Sequence, residues 1–190
     1  MHGSAQGAWQ GRGSRVYLSL MSVWKNVSIS YLKPQIGWME RFHLFFASVG
    51  GAGDSPWAPG TVGSMVAVAL FYPLQATPSW VQGIAIAMVT LLGVWNAFGV
   101  SRWSKIEDDS RIVIDEVAGM WITLFAIPFD PWTWALGFLL FRALDIAKVY
   151  PANYCDEKMH GGWGVMLDDV VSGIYAQVLL RAVMHGMHAT

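Results

Sequence analysis

One uncharged stretch limits the possible folds of this chain more than any other feature of its sequence. No Asp, Glu, Lys or Arg occurs between Asp54 and Arg102, and residues 73–78, which begin and end with proline, divide the stretch into two apolar segments. The second segment, residues 79–101, is long enough to cross a bilayer, whose hydrocarbon core needs about 20 apolar residues of helix. The first, residues 61–74, is short for a full span. The stretch therefore predicts a hairpin of two helices within a membrane or a helical bundle.

Three further apolar segments follow, at about residues 113–127, 132–149 and 165–187, and each carries ionisable residues at one end. If the five segments alternate in direction, every charged motif lies at the same end of the bundle. Only 13% of the residues are charged, against about a quarter in an average soluble domain. These features predict an all-α, membrane-embedded helical bundle of about five helices, with its motif-bearing loops gathered on one membrane face.

The composition divides the chain into two parts. Residues 1–37 are rich in Gly, Ser and other polar residues and lack the continuous apolar core of a signal peptide, so we expect a flexible N-terminal extension. Residues 38–190 hold all five apolar segments, and we expect them to form one membrane-embedded domain. The formal net charge of -1 supplies no basic field that would attract nucleic acid. An oligomer is compatible with the sequence but not indicated by it.

The distribution of cations predicts which side of the membrane the charged end faces. Asp130 is the one charged residue in the two loops expected at the opposite end. Cytoplasmic loops of membrane proteins carry an excess of Lys and Arg, so we expect the charged end to face the cytoplasm. The cations expected at that end are Arg41, Arg102, Lys105, Arg111, Arg142, Lys148 and Lys158.

A loop rich in Gly and Pro, residues 50–64, leads into the first apolar segment. Glycine lets backbone amides approach an anion closely, and the N-terminus of a helix adds about half a positive charge. Gly60 and Thr61 are therefore candidates for binding a phosphate group. The alternative is an ordinary loop in which Thr61 or Ser64 caps the helix.

Paired carboxylates open two of the apolar segments, as Asp115-Glu116 and as Asp168-Asp169. Clustered oxygen ligands of this kind favour magnesium, and one nearby histidine, His160, is too few for a typical zinc site. Ionisable groups within membrane helices usually mark a functional site. Two structural alternatives remain, since acids in a first turn complement the helix dipole and salt bridges can simply lock a bundle together.

Arg142, Asp145 and Lys148 recur every three residues, so we expect them to line one face of a helix. Arginine can bind phosphate oxygens bidentately, and lysine adds a point charge. A glycine pair, Gly161-Gly162, precedes the second pair of acids and forms a second candidate phosphate loop. Together the motifs supply the acids, cations and glycine loops that metal-assisted phosphoryl transfer requires.

Four ordered motifs, spread from about Trp38 to the last helix, resemble those of the phosphatidylglycerophosphatase A family. The resemblance implies a magnesium-dependent phosphatase that removes the terminal phosphate of phosphatidylglycerophosphate, giving phosphatidylglycerol in the bacterial inner membrane. One departure is Val149, because a proline usually follows the lysine of the third motif. The motifs are Ser55-Pro-x-x-Pro-Gly60-Thr61, Asp115-Glu116 with Gly119-Met-Trp-Ile, Phe141-Arg142-x-x-Asp145-x-x-Lys148, and His160-Gly-Gly-x-Gly164-x-Met166-x-Asp168-Asp169.

This interpretation gives each motif a role. We expect the phosphate to be held by Gly60, Thr61, Arg142, Lys148, Gly161 and Gly162. We expect Mg²⁺ to be held by Asp115, Glu116, Asp145, Asp168 and Asp169, and the catalytic residues to be Asp168, Asp169 and His160.

The attacking group and the reaction class stay open at the level of sequence. A metal-bound water can attack phosphorus in line, or Asp168 or Asp169 can attack and form an aspartyl-phosphate. The alternative functions are a membrane phosphotransferase acting on a lipid phosphate, a magnesium-binding transporter, and a purely structural bundle.

Overall fold

The computed structural model describes residues 36–106, 109–159 and 161–188, and within these ranges its regular structure is entirely helical. Residues 1–35 of the expected extension and His160 lie outside the described residues. A short 3-10 turn, Ala52–Asp54, follows the first helix. The α-helices are α1 (Trp38–Ala47), α2 (Pro59–Leu74), α3 (Ser79–Ser104), α4 (Ile114–Leu124), α5 (Pro131–Ala147), α6 (Ala152–Lys158) and α7 (Gly162–His188).

The all-helical prediction is confirmed for the described residues, but the expected number of helices was too low. The five predicted segments correspond to α2, α3, α4, α5 and α7. Helix α1 was not predicted because its charged and aromatic residues lie next to the polar extension. Helix α6 was not predicted because its seven mostly polar residues carry no long apolar run.

Helix α4 is the centre of the bundle although it is one of the shortest helices. It packs against α2, α3, α5 and α7, and seven of its 11 residues are buried. Its contact with α7 is especially close, because Gly173 faces the backbone of Gly119 and a Cβ at Gly173 would lie 3.0 Å or less from that backbone. The Thr123 hydroxyl lies at the same contact, 2.9 Å from the Gly119 carbonyl oxygen and 3.4 Å from that of Gly173. Small residues let helix backbones approach in this way.

Polar side chains tie together the end of the bundle that lies away from the charged motifs. The amide of Gln82, at the start of α3, donates to the carbonyls of Gln75 and Thr77 and accepts from the Ala126 amide beyond α4. The carbonyl of Phe125 accepts from Gln177 and Arg181 of α7. These contacts bring together the end of α2, the start of α3, the end of α4 and the later part of α7. The helices therefore alternate as expected, with the charged motifs at the other end.

The outward surface of the bundle is strongly apolar. Helix α3 and residues Gly162–Met187 of α7 are long and apolar enough to cross a membrane. Only 28% and 22% of their most apolar windows are buried within the protein, whereas the core helix of a soluble protein is mostly buried. Trp80 and Trp132 are exposed at the end opposite the charged motifs. Amphipathic aromatic rings at this end of the bundle suit a membrane interface.

The close contact between α4 and α7 predicts that Gly119→Ala will destabilise the protein. A Cβ at position 119 would lie 2.5 Å from the Phe141 ring and 2.6 Å from the Asp169 carbonyl oxygen. Overpacking of this kind costs about 1–3 kcal/mol, so we expect a lower unfolding midpoint in detergent solution. Gly186→Ala is the matched control, because nothing lies within 4 Å of a Cβ there. Equal midpoints for the two variants would contradict the close contact.

Candidate active site

A small cavity of about 140 Å³ opens at the charged end of the bundle. It lies among the first turn of α4, the last turn of α5 and the second turn of α7. Apart from Ile112 and Val165, its lining is ionisable, and consists of Asp115, Glu116, Asp145, Lys148, Asp168 and Asp169. The structure therefore brings together all five predicted carboxylates and one of the predicted cations.

The close packing of α4 against α7 explains why the acids meet. Asp115 precedes Gly119 by four residues, and Asp169 precedes Gly173 by four residues. Residues four apart lie on the same face of a helix, one turn from each other. The contact between the two glycines thus places both acids side by side one turn earlier. One oxygen from each of Asp115, Glu116 and Asp169 lies within 4.8 Å of the other two.

Burial and mutual repulsion raise the pKa values of both acids of α4. This helix lies outside the two candidate membrane spans. Burial, followed by the charge of Asp169, raises the pKa of Glu116 to about 8. Burial, followed by the charge of Glu116, raises the pKa of Asp115 well above its ordinary value. A cation among these oxygens would relieve both effects, because an opposite charge favours the ionised carboxylate.

The donor set fits a magnesium ion. All three converging groups are carboxylates, the hard oxygen ligands that Mg²⁺ prefers. The Oε2 atom of Glu116 is buried and has no hydrogen-bond partner among the described residues. Buried polar atoms are nearly always satisfied in folded proteins, so this oxygen is available to a ligand.

The guanidinium of Arg142 links three helices at the rim of the cavity. Its Nη1 atom lies 2.6 Å from Asp145 Oδ2 and 3.8 Å from Glu116 Oε1. The same atom donates a hydrogen bond of 3.4 Å to the Ser64 hydroxyl, which donates to the Gly60 carbonyl at 2.8 Å. Its Nε is buried without a hydrogen-bond partner among the described residues. Arg142 is thus held in place and keeps a donor that an anion can use.

Lys148 reaches the site from a position that the sequence spacing did not predict. We expected it within the helix, but α5 ends at Ala147 and Lys148 follows as its C-cap with a left-handed φ of 44°. It lines the cavity together with Asp145. Its Nζ atom lies 3.1 Å from Asp168 Oδ2. The helix therefore ends at the lysine although Val149 replaces the proline.

The two predicted phosphate loops have different surroundings. A Cβ at Gly60 would collide with Glu116 Oε1 and lie 3.2 Å from Arg142 Nη2, so Gly60 adjoins the site, and half-buried Thr61 follows it in the first turn of α2. Gly161 and Gly162 pack against α3 instead, where Cβ atoms would collide with the Phe98 ring and the Val94 carbonyl. They therefore allow α7 to approach α3 and are not among the cavity-lining residues.

Ser64 is the site residue whose role the sequence analysis missed. It was considered only as a helix cap, yet it is fully buried and bonded to Arg142. Its position four residues after Gly60 was the available signal, since that spacing places both on one face of α2. His160, the predicted proton donor, lies outside the described residues.

The chain is similar to several known proteins. The family model of phosphatidylglycerophosphatase A matches residues 45–184. The phosphatidylglycerophosphatase A of Escherichia coli (strain K12) is 36% identical over 162 residues, covering 85% of this chain and 91% of that protein. The phosphatidylglycerophosphatase A of Haemophilus influenzae is 35% identical over 159 residues, covering 80% and 94%.

A third relative has a different name. A protein of Bacteroides thetaiotaomicron, provisionally named a phosphatidylinositol-3-phosphatase, is 40% identical over 139 residues, which are 68% of this chain and 86% of that protein. No solved structure matches the chain.

The position of Gly60 predicts that Gly60→Ala will impair the site without unfolding the bundle. The new methyl group would displace Glu116 and Arg142, and a misplacement of about 1 Å can cost as much as about a hundredfold in rate. We expect phosphate release from a lipid phosphomonoester to fall by about tenfold or more, with little change in the unfolding midpoint. Gly83→Ala is the control, because its Cβ would lie 3.9 Å from the Phe125 ring, an ordinary contact. Full activity in Gly60→Ala would argue against a site at this position.

Proposed function

Because this chain belongs to the phosphatidylglycerophosphatase A family, we propose that it hydrolyses phosphatidylglycerophosphate to phosphatidylglycerol and inorganic phosphate. Family membership makes the chain a phosphoric monoester hydrolase, which sets aside the transporter and the purely structural bundle. The observation that carries the proposal is a small cavity lined by carboxylates of α4 and α7, with Arg142 and Gly60 both adjoining Glu116 in its wall.

The cations of the site suit a phosphate monoester. The guanidinium of Arg142 can donate to phosphate oxygens while Asp145 keeps it in orientation. Lys148 adds a second positive charge beside Asp168. Fixed cations aimed at the oxygens where charge accumulates are the main means of accelerating phosphoryl transfer.

We propose Mg²⁺ as the cofactor, held by Asp115, Glu116 and Asp169 with Asp145 and Asp168 beside them. When bound, the ion would polarise the phosphate, offset its negative charge and make a water molecule more acidic. Five carboxylates adjoin the cavity, and among the described residues the cations found in ion pairs with them are Arg142 and Lys148, which supports this proposal.

Hydrolysis then requires a proton donor and groups that bind the phosphate. Water adds to phosphorus, the bond to the glycerol oxygen breaks, and the leaving oxygen takes up a proton. We assign that proton to His160, and we assign the binding of the phosphate to Arg142, Lys148, Gly60 and Thr61. Attack by Asp168 or Asp169 gives the same products through an aspartyl-phosphate that water then hydrolyses.

We place the protein in the bacterial inner membrane with its site at the cytoplasmic face. The apolar outward surface of α3 and α7 supports membrane embedding. Arg102 lies in the last turn of α3, and Lys105 and Arg111 follow the helix at the charged end. Such an excess of cations favours the cytoplasmic side. A lipid headgroup at that interface would reach the cavity without leaving the membrane.

A second candidate substrate follows from the Bacteroides thetaiotaomicron relative. Phosphatidylinositol 3-phosphate is also a lipid phosphomonoester, and the same cations and carboxylates suit it. Phosphate release from the two lipids at equal surface concentration would rank them, and we expect phosphatidylglycerophosphate to be the faster substrate.

We expect purified protein in detergent to release phosphate from phosphatidylglycerophosphate only when Mg²⁺ is present. Asp169→Asn removes a charge from the acidic cluster, and Arg142→Ala removes the phosphate donor. Because a single fixed donor is worth about a hundredfold to a thousandfold in rate, each variant should lose at least about a hundredfold in activity.

Asp130→Asn is the matched control for that assay. Asp130 lies at the opposite end of the bundle and accepts a hydrogen bond from the Thr133 amide, a capping role that Asn also fills well. The variant should therefore keep full activity. Folded wild-type protein that releases no phosphate from this lipid with Mg²⁺ present would refute the proposed substrate.

A further inference from the structure

An apolar groove runs along the seam between α2 and α5. Its volume is about 540 Å³, within the range of about 300–1,000 Å³ that is usual for small-molecule sites. Helix α2 contributes Met65 and Val68, and α5 contributes Ala135 and Leu139. Phe129 and Trp134 line its far end. The lining is therefore apolar, and the indole N–H of Trp134 already donates to the Pro128 carbonyl.

The groove begins directly beside the proposed phosphate site. Met65 follows Ser64 in sequence, and Leu139 precedes Arg142 by three residues, which is about one helical turn. The Arg142 guanidinium crosses the same seam to reach the Ser64 hydroxyl at 3.4 Å. A molecule whose phosphate contacts Arg142 would thus have the groove immediately below it, running toward the opposite end of the bundle.

We propose that this groove binds one acyl chain of the phospholipid substrate while its phosphate occupies the cavity at Arg142. The inference rests on the proposed function, and it adds that the enzyme recognises the tail of the lipid as well as its headgroup. The chemistry of the lining suits a hydrocarbon chain and no polar group.

A groove of this kind acts mainly by positioning the substrate. An acyl chain in a bilayer is already in an apolar environment, so entering the groove gains little hydrophobic free energy. Seating the chain fixes the depth and orientation of the headgroup, and correct positioning is worth large factors in rate. The groove should therefore matter for the lipid and not for a headgroup without chains.

A second apolar groove lies on another face of α2, but it is less suited to this role. Its lining includes Val66, Leu70 and Phe45, and it lies between α2 and the side of the bundle formed by α1 and α3. Arg142 reaches α2 from the side of α5, at Ser64. The groove between α2 and α5 is therefore the one that continues from the phosphate site.

Leu139→Trp tests the inference by filling the groove, and Leu91→Trp on α3 is its matched control. The two leucines are 62% and 61% exposed, so both changes add the same apolar bulk to an outward surface. Ala135→Phe is a second variant that fills the groove from another position. Each protein is assayed with Mg²⁺ on dioleoyl phosphatidylglycerophosphate in mixed micelles and on the deacylated headgroup, glycerophosphoglycerophosphate.

We expect Leu139→Trp and Ala135→Phe to lose about tenfold in kcat/KM on the lipid, since misplacement by about 1 Å can cost up to about a hundredfold. Activity on the deacylated headgroup should be unchanged, which also shows that the variants are folded. Leu91→Trp should match the wild type on both substrates.

Any of three results would overturn this inference and leave the proposed function standing. They are unchanged lipid activity in both groove variants, an equal loss in Leu91→Trp, or an equal loss on the deacylated headgroup. Absence of phosphate release from either substrate by folded wild-type protein would refute the proposed function, and this inference with it.

Discussion

The contact between Gly119 of α4 and Gly173 of α7 is the constraint on which the site depends. Two helix backbones can approach this closely only where neither has a Cβ, and each glycine lies one turn beyond an acid of the cavity. The contact thus brings Asp115 and Asp169 within reach of one ion. Ordinary helix packing at 8–10 Å between axes would hold the two carboxylates further apart. The fold therefore sets the geometry of the site through residues that carry no chemistry themselves.

The same contact brings several carboxylates into a small buried space, where burial and repulsion disfavour their ionised forms. Five carboxylates adjoin the cavity, and within the described part of the chain Arg142 and Lys148 are the cations that pair with them. Burial and repulsion raise the pKa of Glu116 to about 8, which means that the metal-free site resists full ionisation near neutral pH. In the proposed function, a divalent cation would offset the charge of Asp169, and the phosphate of the substrate would pair with Arg142. We interpret this repulsion between carboxylates as the structural basis of function in a phosphatase.

Much of the fold and most of the site could be predicted from the sequence, because helix length, apolar runs and the placement of acids are local properties. The alternation of five helices was predictable since every charged motif opens or closes an apolar segment. The left-handed conformation of Lys148 was not, because no glycine or proline marks the end of α5 there. The hydrogen bond from Arg142 to Ser64 was also not predicted, since the two residues are 78 positions apart in the sequence. Such pairings depend on how the helices pack, and this packing cannot be predicted from the pattern of a single sequence.

We propose that Asp115, Glu116 and Asp169 form a site for a divalent cation. The most direct test is the binding of Mn²⁺, as a paramagnetic substitute for Mg²⁺, to the purified protein without substrate, followed by electron paramagnetic resonance. We predict saturable binding by the wild type and by Asp130→Asn, competition by Mg²⁺, and loss of binding in Glu116→Gln and Asp169→Asn. Equal binding by all four proteins, or none by the folded wild type, would contradict the site.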